Sequence, residues 1–324
     1  MIEFSTKKTE FKNIWKLGNI AGLFVVAMVV SQIVFSLITG VAVKLIFASD
    51  FPLSNDHFLN SIYFRFSENA LIQIFSLILP FWLIAKLFRY NIKDILALKK
   101  MKPLHMFSLM GIILPVSLVA NIIVQRVVEM FKNSGVELQT PDFNTPPTVF
   151  GIIFALITVA ATPAVAEEFA FRGIMFGVLR KYGDVPAIII TSFLFAVIHA
   201  NFIQMIFALI MGLALGFARA NGRSLVPCII MHFMVNAVSV IFTSLPKILD
   251  ENSFEMIAGL YFILTLTYGG LSLAYLIVNR DKSRFYKPFF LHDAKSRIFI
   301  LFLSPVIIGC VVFYVYIAVT RYVG

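Results

Sequence analysis

Apolar residues run along this chain in long blocks, without the alternation of a surface strand or the narrow stripe of a surface helix. About 20 apolar residues cross a bilayer as a helix. Nine candidate blocks are read, at approximately 17–47, 70–88, 106–128, 149–179, 185–199, 202–218, 225–245, 256–278 and 298–319, the fifth short and the fourth long. The pattern predicts an all-α fold, a polytopic transmembrane bundle of about eight to nine helices. Three helices fall in residues 1–148, a central core that holds the buried polar groups in 149–245, and two helices in 246–324. Between the blocks little chain remains. The longest external connections are 48–68 and 132–147. In the second, Thr140-Pro141-Asp142 and Thr145-Pro146-Pro147 read as turns or extended chain, and the basic, aromatic stretch 279–297 is expected at the membrane interface.

Charge tests this map independently, because lysine and arginine gather on the cytoplasmic loops. Twenty of the 27 fall on one side: Lys7 to Lys16, Lys86 to Lys102, Arg180 and Lys181, Arg219 and Arg223, and Arg280 to Arg297. The N-terminus is therefore expected in the cytoplasm and the C-terminus outside. The net charge of +10 is then mainly a topology signal, with affinity for anionic lipid as a secondary reading. Nucleic acid is not an expected partner, since that requires a basic face on a water-soluble domain. Composition agrees: 60% hydrophobic and 14% charged, against roughly 25% charged in soluble domains. The first apolar block is much longer than a signal h-region, so no cleaved signal is expected. Cys228 and Cys310 lie in separate blocks with no metal spacing and read as inert buried thiols.

Against that apolar background, Glu167, Glu168 and Arg172 stand out inside the fourth block. A charge at mid-bilayer costs about 2.5–3.5 kcal/mol on insertion scales, so such residues are paired, turned to the protein interior and usually functional. In a helix Glu168 and Arg172, four apart, share a face, whereas Glu167 is rotated by about 100°. One carboxylate is thus held by the arginine and its neighbour is left for chemistry. His199 closes the fifth block, and His232 and Asn236, again four apart, lie in the seventh. At about 1.5 Å per residue, Glu167 sits ~20 Å, His199 ~21 Å, His232 ~13 Å and Asn236 ~19 Å from the cytoplasmic ends of their helices. Taken singly, a buried His or Asn is a structural hydrogen-bonder worth about 0.6 kcal/mol. Gathered at one level beside an acid pair, they point to a site. Thr162-Pro163 is expected to kink the helix just before the acids, while Ala208, Gly212 and Gly216 read as a packing face.

Amide hydrolysis requires a base for water, donors for the oxyanion and an acid for the leaving nitrogen. Glu167 with His199 suits the first role, His232 with Asn236 the second, and Glu168 is oriented by Arg172. No Gly-x-Ser-x-Gly, serine and lysine dyad or paired intramembrane Asp is found, which argues against serine and aspartyl intramembrane proteases.

Glu167-Glu168-x-x-x-Arg172, Phe195-x-x-x-His199 and His232-x-x-x-Asn236, in that order on successive blocks, resemble the three motifs of the CPBP (CAAX protease and bacteriocin-processing, or ABI) intramembrane proteases. The resemblance covers about 149–245. It implies an all-helical intramembrane endopeptidase related to the CAAX prenyl endopeptidases, acting on a membrane-embedded or lipid-anchored peptide or protein. It makes Glu167 and His199 the water-activating pair, His232 and Asn236 the oxyanion site, and Glu168 and Arg172 their support. The family is filed among metalloproteases, yet a metal-free glutamate mechanism has also been proposed for it. No cofactor is required by the sequence. Zinc, if bound, would take His199, His232 and Glu167 or Glu168, three ligands plus water being the usual catalytic set, although no His-Glu-x-x-His is present. The expected location is a bacterial plasma membrane, as a multi-pass protein. The competing readings are a proton-coupled transporter, for which no inverted repeat is found, and a catalytically silent scaffold or bacteriocin-immunity protein of the same family.

Overall fold

The computed structural model describes residues 6–47, 61–138, 145–279 and 285–323. His57, the Thr140-Pro141-Asp142 turn and the charges Arg280, Lys282 and Arg284 lie outside the described residues. All regular structure among the described residues is helical, as the block pattern requires. In chain order the helices are α1 (Lys7–Phe47), α2 (Ile62–Leu87), the short α3 (Ile92–Leu96), α4 (Pro103–Asn133), α5 (Val149–Tyr182), α6 (Asp184–Val197), α7 (Phe202–Gly222), α8 (Val226–Ser244), α9 (Glu251–Val278), α10 (Ala294–Phe302) and α11 (Pro305–Val323).

Among the described residues, seven helices are long and apolar enough to cross a membrane, and α10 with α11, bent by 64°, adds an eighth if the pair is one span. The ninth expected span is α6. At 14 residues it measures about 21 Å, short of the ~30 Å hydrocarbon core. Its ends have local causes. Gly183, at φ +108°, turns the chain out of α5, a conformation that glycine adopts without steric cost. At the far end Ala200 takes φ +49° and stops the helix beside His199.

Other starts follow from capping residues. The side chains of Ser61, Thr148, Asn201, Asp250 and Asp293 each accept the amide three residues on, which satisfies a donor that the first helical turn leaves free.

Two buried clusters form most of the interior, with a small third one around Phe66, Ala155 and Val240. The larger joins α5 and α6 to α1, α2, α10 and α11, and the smaller joins α4, α7 and α8. Between them α6 packs on α7 through the small-residue face that the sequence predicts. A Cβ at Gly212 would lie 3.0 Å from Ser192 Cβ, and one at Gly216 3.0 Å from Ile188 Cγ2. Cys228 and Cys310 are free and buried, as expected of inert thiols.

Two acids near the starts of α1 and α6 are not solvated. Glu10, 4% exposed, accepts the amides of Leu291 (2.8 Å) and His292 (2.9 Å) and sits 2.9 Å from His292 Nδ1. Asp184 is fully buried. It accepts the Tyr286 amide at 2.6 Å and pairs with Arg180 Nε at 2.7 Å. These acids strap residues 285–293 across one end of the bundle, and His292 is a structural partner there.

Candidate active site

The acids lie on α5, which is not a uniform α-helix. Leu156–Ala161 and Phe169–Met175 are π-helical, a geometry that recurs at functional sites. The first π segment precedes Thr162-Pro163, and Thr162 Oγ1 donates to Ile157 O, five residues back, at 2.9 Å. The missing Pro163 amide follows directly on this local unwinding, within one 34-residue span. The second π segment begins directly after Glu168.

Glu168 is the hub of the polar network. Its carboxylate is fully buried, and Oε1 accepts from Arg172 Nη1 at 2.8 Å and from His232 Nδ1 at 2.9 Å. Arg172, also fully buried, donates from Nη2 to Gly212 O of α7 at 3.2 Å. Its guanidinium stacks 4.3 Å from the centre of the Phe195 ring, a cation–π geometry that compensates a buried charge. The expected pairing of Glu168 with Arg172 is therefore present. The closeness of Gly212 is required as well: a Cβ there would stand 3.2 Å from Arg172 Nη2.

Glu167 takes no part in that pair. Its side chain is 13% exposed, and Oε2 lies 3.8 Å from His232 Nε2. His232 thus stands between the two glutamates, hydrogen-bonded to one and facing the other. His199 and His232 approach Phe195 with ring centres 5.0 and 6.0 Å away, both nearly perpendicular to it. Phe195 is therefore the shared platform of Arg172, His199 and His232. Asn236 lies one turn beyond His232 on α8 and is half-buried; no hydrogen bond joins it to the other five among the described residues.

Hydrogen-bond logic assigns one nitrogen of each ring. His199 Nδ1 is 2.7 Å from Phe195 O. A carbonyl only accepts, so Nδ1 carries the proton and Nε2 of the neutral ring is an acceptor. In His232, Nδ1 faces a carboxylate oxygen already accepting from a guanidinium, so Nδ1 is again the donor and Nε2 is turned toward Glu167. Both rings are oriented by their Nδ1 and offer Nε2 for chemistry.

His232 Nε2 and Glu167 Oε2 approach each other, but Glu168 Oε1 is committed to two donors. Among the described residues no group of three His, Cys, Asp or Glu side chains is arranged to hold a metal ion. The set His199, His232 and a glutamate does not gather as such a group.

Two contributors were not legible as site residues. Gly212 supplies a carbonyl, which no side-chain motif reveals. Arg219, which the charge count assigns to a loop, is 1% exposed within α7 and reaches the site's backbone; its seven-residue spacing from Gly212, which places both on one face, is the only sequence signal.

Comparison with known proteins follows the same residues. Residues 149–238 match the family model described as Type II CAAX prenyl endopeptidase Rce1-like, a stretch that contains all six candidate residues. Neither the curated proteins nor the solved structures yield a match. The matched core, in a multi-pass helical membrane protein, is the part that carries the acid pair and both histidines. Residues 149–238 are thus similar to the Rce1-like family of type II CAAX prenyl endopeptidases.

Proposed function

We propose that this protein is an intramembrane endopeptidase that cuts a peptide bond near the C-terminus of a lipid-anchored, CAAX-type protein, using a glutamate-activated water. The observation that carries the reading is the unequal fate of the two acids: Glu168 is consumed by Arg172 and His232, while Glu167, one residue away, is free of the arginine and partly accessible.

In this reading the water lies between Glu167 and His199. Glu167 removes one proton as the oxygen attacks the scissile carbonyl, and His199 Nε2 accepts the other O–H and fixes the lone pair. The oxyanion is met by Asn236 and by His232, which donates from Nε2 in its doubly protonated form. That cation and Arg172 balance the charges of Glu167 and Glu168. Collapse of the tetrahedral intermediate breaks the C–N bond, and Glu167 returns its proton to the leaving amine. Preorganised donors of this kind supply about 2.7–4 kcal/mol each, and a positioned base about 10²–10⁴-fold. The positive-inside distribution supports a cytoplasmic N-terminus, so that substrate reaches the site from the leaflet that holds lipid-anchored C-termini.

The purified protein in proteoliposomes is expected to release the C-terminal tripeptide from a prenylated CAAX peptide, and His199→Ala to release none. Identical peptide termini in membranes of cells carrying wild type and His199→Ala would leave a silent scaffold as the better reading, and proton-driven solute uptake without cleavage a transporter. Exhaustive chelation is expected to leave the rate unchanged. Loss of activity on chelation, restored by zinc, would instead show that the reaction requires a metal.

A further inference from the structure

Arg219 is among the largest fully enclosed side chains of the protein, yet no ion pair is found for it among the described residues. A buried cation without a carboxylate is expensive and calls for a reason. Its guanidinium bridges two backbone carbonyls from different elements: Nε donates to Arg172 O at 2.9 Å and Nη2 to Ile95 O of α3 at 2.9 Å. The ring of Phe176 lies 5.2 Å from its Cζ.

The first of these bonds falls inside the π segment of α5. There the Phe176 amide bonds to Phe171 O and Gly173 O and passes over Arg172 O, the partner it would take in an α-helix. The guanidinium of Arg219 supplies a donor to that carbonyl. Helix α7 therefore holds Arg172 at both ends, through Gly212 O on its side chain and through Arg219 on its backbone. The second bond fixes α3 against the same turn, where Gly177 lets the chains meet: a Cβ at Gly177 would lie 2.5 Å from Ile95 Cβ.

We infer that Arg219 is a positioning residue of the active site: it pins the π turn after Glu168, and through Arg172 and Glu168 it sets the angle at which His232 faces Glu167. The inference rests on the proposed peptidase reading for its rate effect, but its structural half is measurable without any turnover. A displacement of about 1 Å at a reacting group costs on the order of 10²-fold in rate. Arg219→Gln, which keeps a donor but loses the bridge, is expected to lower kcat by roughly 10–100-fold with little change in KM. Arg219→Lys, a point charge that cannot bridge two carbonyls, is expected to fall between Gln and wild type.

In nanodiscs, hydrogen exchange of peptides covering 169–176 is expected to quicken about tenfold in Arg219→Gln, while α1 and α11 exchange as in wild type. Unchanged exchange at 169–176 and unchanged kcat in a folded Arg219→Gln overturn the inference. So do uniformly faster exchange in both variants, or failure of both to fold, because the residue is then scaffold only. A wild-type protein that cleaves no peptide defeats the proposed function instead, and the local exchange difference still decides whether Arg219 pins the turn.

Discussion

Arg172→Met is expected to lower the stability of the folded protein by about 3–5 kcal/mol, the cost of removing one partner from a buried ion pair and leaving the other uncompensated. Arg172 and Glu168 are both fully buried, and the change also strips a donor from Gly212 O. What remains is a carboxylate with no counter-cation except a protonated His232. A Glu168→Gln, Arg172→Met double variant is expected to recover part of the loss, since a neutral amide is cheaper to bury than a carboxylate. A control lies elsewhere in the chain. Arg126 and Glu129 pair at 3.0 Å, but their side chains are 78% and 60% exposed, and breaking that pair should cost well under about 1 kcal/mol. Thermal midpoints in one detergent, compared across wild type and these three variants, check the set. Equal effects at the buried and the exposed pair would show that the network carries no structural weight.

Glu167→Gln is expected to reduce peptide cleavage by about 10²–10⁴-fold with KM nearly unchanged, because the base acts on the water in the transition state and not on substrate binding. The substitution is isosteric. Glu167 is not the carboxylate that neutralises Arg172, so the thermal midpoint should stay close to wild type. The contrast with its neighbour is the sharper measurement. Glu168→Gln breaks the charge balance of the buried network and should lower stability and rate together, whereas Glu167→Gln should lower rate alone. Retention of a tenth or more of the wild-type rate in Glu167→Gln would remove it from the role of general base.

The two adjacent acids show how far local pattern reaches. That Glu168 and not Glu167 meets Arg172 follows from helical spacing, and the structure has that pair at 2.8 Å, even though the turn between them is π-helical. The packing face on α7 follows from Gly212 and Gly216 in the same way. Spacing also placed His232 and Asn236 on one face, but it left open which glutamate His232 would meet. That choice depends on the rotation of α8 about its axis and on its distance from α5. Both are set by side chains hundreds of atoms away, including Phe195, whose ring fixes the approach of three polar residues.

Long apolar blocks, alternating loop charge and four-residue spacings are local properties, and the one-dimensional chain decided what rests on them: an all-helical membrane bundle, with six candidate polar residues confined to the segment 149–245. Other features depend on contacts between segments far apart in the chain, and only the tertiary structure settled them. The 14-residue α6 stops short where Ala200 takes a left-handed conformation. Glu10 and Asp184, which any pattern assigns to water, are buried because a distant linker offers its amides to them. Arg219, which reads as a topology charge, is enclosed by α5 and α3. An unpaired donor or acceptor must find a partner once water is excluded, and which partner it finds is a matter of packing that spacing alone does not encode.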